Sequence, residues 1–208
     1  MAEPKQERAV KTREAILYAA AQVFDETGFN GSSISKIMNR AGVTQGGMYF
    51  HFKSKQGLAQ AVMAAQQDFV HLPPGEDGLQ RLIDVTFHIA DELQNNVMFR
   101  ASVRLAVEQG EFGMQDATAY EGWVEQFYAQ LVAARGRGEL QEGVEEREFA
   151  QVLVGAYTGT QLFSNVSTKR ADLPERIAAL WRYLIPAVAT PQTAARLHYR
   201  RGARGSAA

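Results

Sequence analysis

The 208-residue chain contains no cysteine, which excludes disulfide frameworks, thiol nucleophiles, cysteine zinc sites and iron–sulfur clusters. It also lacks a uniformly apolar stretch of about 20 residues, so no membrane-spanning helix is expected. The first residues are polar and mixed in charge, and they lack the apolar centre of a secretion signal. Strand-like runs of β-branched residues bounded by turn residues are missing as well. These absences favour a cytoplasmic protein that has no strands and needs neither a metal nor a cofactor.

The composition is otherwise that of an ordinary globular chain, with 46% hydrophobic and 22% charged residues, which excludes a disordered or collagen-like chain. The net charge of −1 is unevenly distributed. Basic residues outnumber acidic ones in residues 1–55, acidic residues predominate in 56–190, and the segment 191–208 contains four arginines and no acid. A basic N-terminal part on an acidic body favours a polyanionic partner for the first part alone.

Apolar residues recur at helical spacing along almost the whole chain, and proline, glycine and capping residues divide the pattern into segments. The predicted helices lie at 8–27, 33–40, 45–51, 55–70, 77–94, 97–109, 115–134, 147–168 and 173–188. Residues 191–208, which are rich in alanine, glycine and arginine, are predicted to form a flexible basic tail. The fold class predicted by this pattern is all-α.

The helix predicted at 147–168 carries no charged residue from Phe149 to Thr168. Because a surface helix of a monomer carries charge on its outer stripe, we expect this helix to be buried nearly all round. Its glutamine, threonine, serine and asparagine residues make it too polar for lipid. Burial partly against a second subunit explains both properties. We therefore predict a homodimer in which the helices at 147–168 and 173–188 form a four-helix interface.

Residues 33–52 carry the clearest functional pattern. Two short predicted helices meet at a turn containing Gly42, as in a helix-turn-helix whose second helix enters the major groove of DNA. The apolar side chains expected to close a small core against the first helix are Ile37, Val43, Phe50 and Phe52. Around them lie polar side chains that can extend to a partner, namely Ser33, Lys36, Gln45, Tyr49, His51, Lys53 and Lys55. Each of these alone is also typical of a solvated surface, but their clustering on one short element favours DNA.

The run from Ala41 to Leu58, Ala-Gly-Val-Thr-Gln-Gly-Gly-Met-Tyr-Phe-His-Phe-Lys-Ser-Lys-Gln-Gly-Leu, resembles the signature of TetR-family repressors. Thr12-Arg-Glu-Ala-Ile-Leu and Phe24-Asp-Glu-Thr-Gly-Phe resemble the family's first helix, and the match covers residues 8–70. Within the family, Tyr-Phe-His-Phe followed by Leu58-Ala-Gln-Ala-Val is most similar to the γ-butyrolactone autoregulator receptors of antibiotic-producing soil bacteria. Trp123 and Gly155-Ala-Tyr-Thr-Gly-Thr-Gln strengthen that narrower resemblance.

The resemblance implies a helix-turn-helix DNA-binding domain at 8–68, with the motif itself at about 33–52, and a helical ligand-binding and dimerisation domain at 69–190. It also implies roles for single residues: Thr44 caps the recognition helix and meets a phosphate, and Gln45 faces the bases and can pair with adenine. The implied DNA-binding set is Ser33, Lys36, Thr44, Gln45, Gly46, Tyr49, His51, Lys53 and Lys55. Many relatives have lysine where Gln45 stands, so their operator preference does not transfer.

The helix predicted at 115–134 places Trp123 and Phe127 on one apolar face, which taken alone is typical of core packing. Trp123 differs because its indole N–H requires a partner when buried. Neutral hydrogen-bonding groups on apolar walls suit a small, uncharged, amphiphilic ligand. The predicted ligand-binding set is Val62, Gln66, Met98, Trp123, Phe127 and Thr158. A lactone or butenolide with an alkyl chain fits this description, and an aromatic drug-like compound fits it too.

These residues and the resemblance predict a repressor that binds a pseudo-palindromic operator as a homodimer, is released by a γ-butyrolactone or butenolide, and controls antibiotic or secondary-metabolite genes. A pseudo-receptor of the same family that answers to an antibiotic or another hydrophobic compound is the first alternative. A helical interaction protein without DNA binding and a small-molecule enzyme are alternatives of other classes, although no Walker loop, dinucleotide fingerprint, HExxH or nucleophile elbow is present. Asp84, His88 and Glu92 share one helical face, where a metal site and a histidine–carboxylate pair are both conceivable.

Overall fold

The computed structural model describes residues 5–65 and 75–199. The helices are α1 (Lys5–Gly31), α2 (Ile34–Ala41), α3 (Gln45–His51), α4 (Lys55–Ala64), α5 (Leu79–Asn95), α6 (Val97–Glu108), α7 (Thr118–Gly136), α8 (Glu146–Thr168), α9 (Leu173–Val188) and α10 (Pro191–Ala194). A 3-10 turn over Gln109–Phe112 follows α6. Within these ranges there is no strand and one isolated bridge, between Leu140 and Ala189. The predicted all-α fold is confirmed, and α3 and α9 have the predicted bounds.

Local signals set the helix ends of the N-terminal part. Ser33, Thr44 and Ser54 lie just before α2, α3 and α4, and each hydroxyl accepts a hydrogen bond from a first-turn amide. Gly42 ends α2 in the left-handed conformation, with φ of 66°, which a residue with a Cβ adopts only at a cost. Gly28, with φ of 70°, interrupts α1 at the predicted stop. These short-range interactions end α2 and begin α3 on either side of the predicted turn.

The expectation of a flexible tail from residue 191 was wrong for its first nine residues. Thr190 caps α10, and Pro191 occupies the first turn, where its missing N–H costs nothing. Beyond this helix, the side chain of Gln80 forms two hydrogen bonds with the backbone of His198, each 2.9 Å long. Residues 200–208, including three of the four arginines, lie outside the described residues.

The chain divides into two compact units, of which the first comprises the described residues of 1–71 and 95–119. Its helices α1 and α4 pack against α6, which therefore belongs to this unit, whereas the sequence pattern placed residues 97–109 in the second domain. Fully buried side chains of this core include Ile16, Phe24, Ile37, Met48, Leu58, Val62 and Leu105. The association of α6 depends on contacts between residues distant in the chain, which a local pattern does not encode.

One expectation about this core was wrong. Phe50 is 72% exposed, and the fully buried Met48 takes the inward position on α3. The reason is helical geometry, because the residue two positions after Met48 lies on the opposite side of the helix; Phe52, just past the end of α3 and extended, is also buried. Ile37 and Phe52 are buried and Val43 is packed against the core, as expected.

The second unit comprises the described residues of 72–94 and 120–208. Its core contains Trp181, which is fully buried and donates from Nε1 to the hydroxyl of Thr86 at 2.8 Å. The Thr86 hydroxyl donates to the carbonyl of Ile83 at 2.7 Å, and the Tyr157 phenol donates to the carbonyl of Thr86 at 3.0 Å. Burial raises the pKa of Tyr157 well above its ordinary value, so the phenol stays protonated. These bonds join α5, α8 and α9.

No helix among the described residues is long and apolar enough to cross a membrane.

Candidate nucleic-acid interface

The outer surface of α3 presents a contiguous group of residues to solvent. Gln45, Gly46, Tyr49 and Phe50 are exposed, while Met48 on the opposite side is fully buried. Residues 45 and 49, and residues 46 and 50, are each four apart and lie side by side on this surface. The second helix of the turn is therefore anchored by Met48 and displays its other face, as docking into a groove requires.

The predicted polar residues lie around this surface, and several are already engaged in short-range hydrogen bonds. The hydroxyls of Ser33 and Thr44 accept from the amides of Lys36 and Gly47, each at 3.2 Å. Lys53 is exposed and its Nζ donates to the carbonyl of Tyr49 at 3.3 Å. The structure thus gives Ser33 and Thr44 a capping role and leaves the lysine side chain on the surface.

Two further members of the predicted set have contacts of their own. The Nζ of Lys36, an exposed side chain, donates to the carbonyl of Gly31 at 3.2 Å. His51 is half-buried, and its ring meets that of Phe50 edge-on, with centroids 4.9 Å apart. The imidazole therefore lies beside the exposed Phe50 ring at the end of α3.

The Lys55 side chain is half-buried against its own unit, whereas a side chain that only contacts phosphate would extend into solvent. Its ammonium donates to the carbonyl of Ser32 at 2.9 Å and lies 4.2 Å from the centroid of the Phe29 ring. Burial lowers the pKa of Lys55 from its ordinary value, because desolvation disfavours the charged form. The side chain joins the start of α4 to the segment between α1 and α2.

The Phe29 ring is the centre of a cluster that the sequence did not reveal. It stacks with Phe24 at 6.2 Å and meets the Phe112 ring at 4.2 Å between centroids. Its backbone N–H donates to Oε2 of Glu108 at 2.9 Å. The end of α6 and the following 3-10 turn therefore hold the residue on which the Lys55 ammonium rests.

A second group of charged side chains fixes α6 to α1. Arg104 donates from Nη1 to the carbonyl of Asp25 at 2.7 Å and from Nε to Glu108 at 2.6 Å. Arg100 pairs with the Asp25 carboxylate at 3.0 Å. A Cβ at Gly28 would lie 2.6 Å from Nη2 of Arg104, so the glycine leaves room for this arrangement. The contacts of Arg100 and Arg104 with Asp25 join residues 75 and 79 positions apart, and no sequence signal identified them.

The predicted ligand-binding residues fall in both units. Val62 and Met98 are buried in the core of the first unit. In the second unit Trp123 and Phe127 lie on one face of α7, with ring centroids 6.1 Å apart, and the hydroxyl of Thr158 donates to the carbonyl of Val154 at 2.8 Å. Gln66 lies outside the described residues.

A buried amide in the second unit was missed by sequence reasoning. Oε1 of Gln161 accepts two hydrogen bonds of 3.3 Å from the Arg170 guanidinium, which fixes the orientation of the amide. Its Nε2 is buried without a hydrogen-bond partner, and so is Nε2 of His88. The expected pairing of His88 with a carboxylate is therefore not made through that nitrogen. Among the described residues, no group of three His, Asp or Glu side chains is arranged to hold a metal ion.

A surface cavity of about 390 Å³ in the second unit has a mostly charged and polar lining. It is lined by Gly75, Glu76, Asp77, Gly78, Gln80, Arg81, Asp84, Arg137 and Glu139. None of the predicted ligand-binding residues borders it, and its charge does not suit a neutral amphiphilic ligand.

Helix α8, which carries no charged residue from Phe149 onward, has two unlike faces. One face, which includes Leu153, Tyr157, Gln161 and Ser164, is buried in the second unit. The other is an exposed apolar stripe formed by Val152 (53% exposed), Leu162, Phe163 (62%) and Val166 (81%). The expectation of burial nearly all round is therefore not met within one chain, because only the inner face is buried; on the outer stripe the Phe163 ring meets the Arg176 guanidinium at 4.2 Å and stays largely exposed.

Two family models together match most of the chain. Residues 16–62 match the model described as "Bacterial regulatory proteins, tetR family". Residues 76–190 match the model described as "Tetracyclin repressor-like, C-terminal domain". The first match contains the whole of α2 and α3, so the exposed surface of α3 lies within a recognised regulatory module.

Two of the similar proteins come from Streptomyces species. The chain is 38% identical over 187 residues to the A-factor receptor protein of Streptomyces griseus, an alignment that covers 90% of this chain and 67% of that protein. It is 39% identical to TylP, a TetR regulator from Streptomyces fradiae, with a TM-score of 0.80 over 92% of this chain and 93% of that one. A solved γ-butyrolactone receptor described as ArpA-like is 29% identical, with a TM-score of 0.74 over 91% and 94% of the two chains.

Proposed function

Because this chain belongs to the TetR family of bacterial regulators, we propose that it is a cytoplasmic repressor that binds operator DNA as a homodimer and is released by a small neutral ligand. Regulators of this family bind operator DNA as dimers and respond to a small ligand. The observation that carries the proposal is the exposed face of α3 opposite the buried Met48, within the segment that matches the family's DNA-binding module.

The DNA-binding role rests on the residues around α3. Gln45 lies at the first position of the helix and is exposed, where its amide can pair with an adenine edge. Lys36 and Lys53 are exposed, and their charges suit phosphates. Tyr49 is also exposed beside Gln45, and its phenol adds a neutral donor for a phosphate oxygen. We assign sequence preference to Gln45 and general affinity to the other three.

The dimer rests on the apolar stripe of α8. Val152, Gly155, Gly159, Phe163 and Val166 follow one another at intervals of three or four residues, which is the spacing of a single helix face. Open space surrounds both glycines, so a second helix can approach the backbone closely. An exposed apolar stripe of this length is typical of a surface that a second subunit covers.

Phe163→Glu places a charge on that stripe without touching the inner face of α8. Sedimentation equilibrium should show a dimer for the wild type and a monomer for the variant. The matched control is Tyr128→Ala, which removes an aromatic residue of α7 whose ring contacts Arg147. A dimer that persists in Phe163→Glu at micromolar concentration would place the interface elsewhere.

The ligand class rests on similarity and on the chemistry of the second unit. We propose a γ-butyrolactone or butenolide that controls genes of antibiotic or other secondary metabolism, since two similar solved structures are described as γ-butyrolactone receptors. In the second unit, Trp123 and Phe127 on α7 offer apolar rings, and Thr158 on α8 carries a neutral hydroxyl. An apolar surface with few neutral polar groups suits such a ligand.

Release of DNA in the presence of candidate ligands tests this function. The duplex is the region upstream of the gene, labelled for fluorescence anisotropy, and the ligands are synthetic γ-butyrolactones and butenolides with alkyl chains. Trp123→Ala should bind DNA like the wild type and fail to release it, while Tyr128→Ala, on the same helix, should respond normally. Release of DNA from Trp123→Ala at the wild-type ligand concentration would make this tryptophan an ordinary core residue.

A further inference from the structure

Phe50 is the most exposed large hydrophobic side chain of the first unit among the described residues, at 72%. Its ring meets the neighbouring His51 ring edge-on, with centroids 4.9 Å apart. A single exposed apolar residue needs no explanation in most places. This one lies on the short helix that the proposed function places in the major groove, where every exposed side chain faces the DNA.

The core of the unit has no position for this ring. The inward face of α3 is filled by Met48 and continues into Phe52, both of which are buried. Because Phe50 lies midway between them on a helix of seven residues, it could turn inward only if α3 unwound. Its exposure is therefore set by the helix itself.

The surroundings of Phe50 leave it accessible to a large partner. Gly46 lies one helical turn earlier on the same face, and open space surrounds the position that its Cβ would occupy. Gln45 and Tyr49 form the adjacent row. The face thus consists of a bare backbone, two aromatic rings and one amide, and α3 contains no lysine or arginine.

The major groove has one apolar feature, the C5-methyl group of thymine. We propose that Phe50 determines operator specificity by packing against thymine methyl groups beside the base contacted by Gln45. This inference rests on the proposed function, because it presumes that α3 enters the groove. An amide that pairs with adenine and a ring that covers a thymine methyl together favour A·T pairs at the centre of each half-site, without a charged side chain on the helix.

The test compares thymine with deoxyuridine, which pairs identically but lacks the methyl group. An operator is first obtained by selection from random duplexes with the full-length protein, and each thymine is then replaced singly by deoxyuridine. Burial of one methyl group corresponds to about a fourfold change in the dissociation constant. The wild type should lose about this factor at one or two positions in each half-site and none elsewhere.

Variants of the ring identify the side chain responsible. Phe50→Ala should bind the parent duplex more weakly and should bind thymine and deoxyuridine duplexes equally well. Phe50→Leu, which retains an apolar contact, should keep part of the discrimination. The matched control is Tyr18→Ala, which removes another exposed aromatic side chain of the same unit, at 51% exposure, and should leave the deoxyuridine pattern unchanged.

Two results would overturn the inference. The first is a wild type that binds every deoxyuridine duplex as tightly as the parent, and the second is a Phe50→Ala variant that retains the wild-type pattern of losses. Failure of the proposed function looks different, because then no duplex is selected in the first step. Circular dichroism of the variants verifies that replacing an exposed side chain has left the helices intact.

Discussion

Replacing Lys55 with methionine separates two roles of one ammonium group. Methionine keeps an unbranched apolar stem against the Phe29 ring and removes the charge. In the wild type that charge donates to the carbonyl of Ser32 at 2.9 Å and rests 4.2 Å from the centroid of the ring. The variant loses both interactions, and it also loses any contact that the ammonium makes with a DNA phosphate.

The loss of folding stability follows from opposing contributions. A hydrogen bond from a charged donor contributes about 1.5–3 kcal/mol, and a partly buried cation–π contact contributes about 1 kcal/mol. Burial lowers the pKa of Lys55, so the folded chain disfavours the charge, and methionine relieves that penalty. We therefore expect Lys55→Met to lower the free energy of unfolding by about 1–2 kcal/mol.

The effect on DNA binding is measured separately. If the ammonium also meets a phosphate, the slope of log K against log salt concentration should become shallower by about 0.9. The assay is operator binding by anisotropy between about 50 and 200 mM salt, with urea unfolding of the same samples. The control Lys53→Met removes an exposed charge on the same surface and should change stability by less than about 0.5 kcal/mol.

The two measurements can refute the two roles independently. An unchanged free energy of unfolding in Lys55→Met would show that the contacts with Ser32 and Phe29 contribute nothing. A loss of stability with an unchanged salt slope would make Lys55 a purely structural residue and remove it from the DNA-binding set.

Three further changes test the two cores. Thr86→Val keeps the side-chain shape but leaves the indole N–H of Trp181 without its acceptor, so the free energy of unfolding in urea should fall by about 1–3 kcal/mol. In the double variant with Trp181→Phe, the free energy of unfolding should fall by less than the sum of the two single losses. Hydrogen bonds, the strongest from Arg176, hold the pKa of Asp172 far below its ordinary 3.8. The ionised carboxylate therefore stabilises the fold fully above about pH 4, and this stabilisation is lost as the pH falls further. In Asp172→Asn the melting temperature should fall less steeply over that range. Glu108→Ala leaves the Phe29 amide unpaired and should lower stability more than Glu108→Gln, which retains an acceptor; equal losses in the two variants would contradict the role of that bond.

The parts of the fold that depend on neighbouring residues were predictable from the sequence. The bounds of α3 and α9 were predicted correctly, because Thr44, Gly42 and Pro174 act within one turn of the helix that they begin or end. The inward face of α3 was not predicted correctly. Met48, Phe50 and Phe52 are three apolar residues within five positions, and they do not show which side of a seven-residue helix faces the core. The packing of α3 on the rest of its unit selects Met48 and leaves Phe50 outside.

Interactions between distant residues account for what the sequence did not predict. The contacts that Arg104 and Arg100 make with the carbonyl and the carboxylate of Asp25 bring α6 into the first unit, and no periodicity of either helix encodes them. The same limit applies to Lys55, whose charge predicts a phosphate contact although the folded chain gives it a carbonyl and a ring. Local patterns thus predicted the residues that we propose face DNA, and tertiary packing decided how they are held.

The measurement that tests the central claim most directly is a single anisotropy titration in two stages. The labelled upstream duplex is saturated with the full-length protein, and synthetic γ-butyrolactones and butenolides are then added to the complex. We predict saturation at two chains per operator, followed by return of the anisotropy to the value of free DNA at a ligand concentration that leaves Trp123→Ala bound. A complex that forms equally well on unrelated DNA, or that no neutral lactone or butenolide dissociates, would contradict the account.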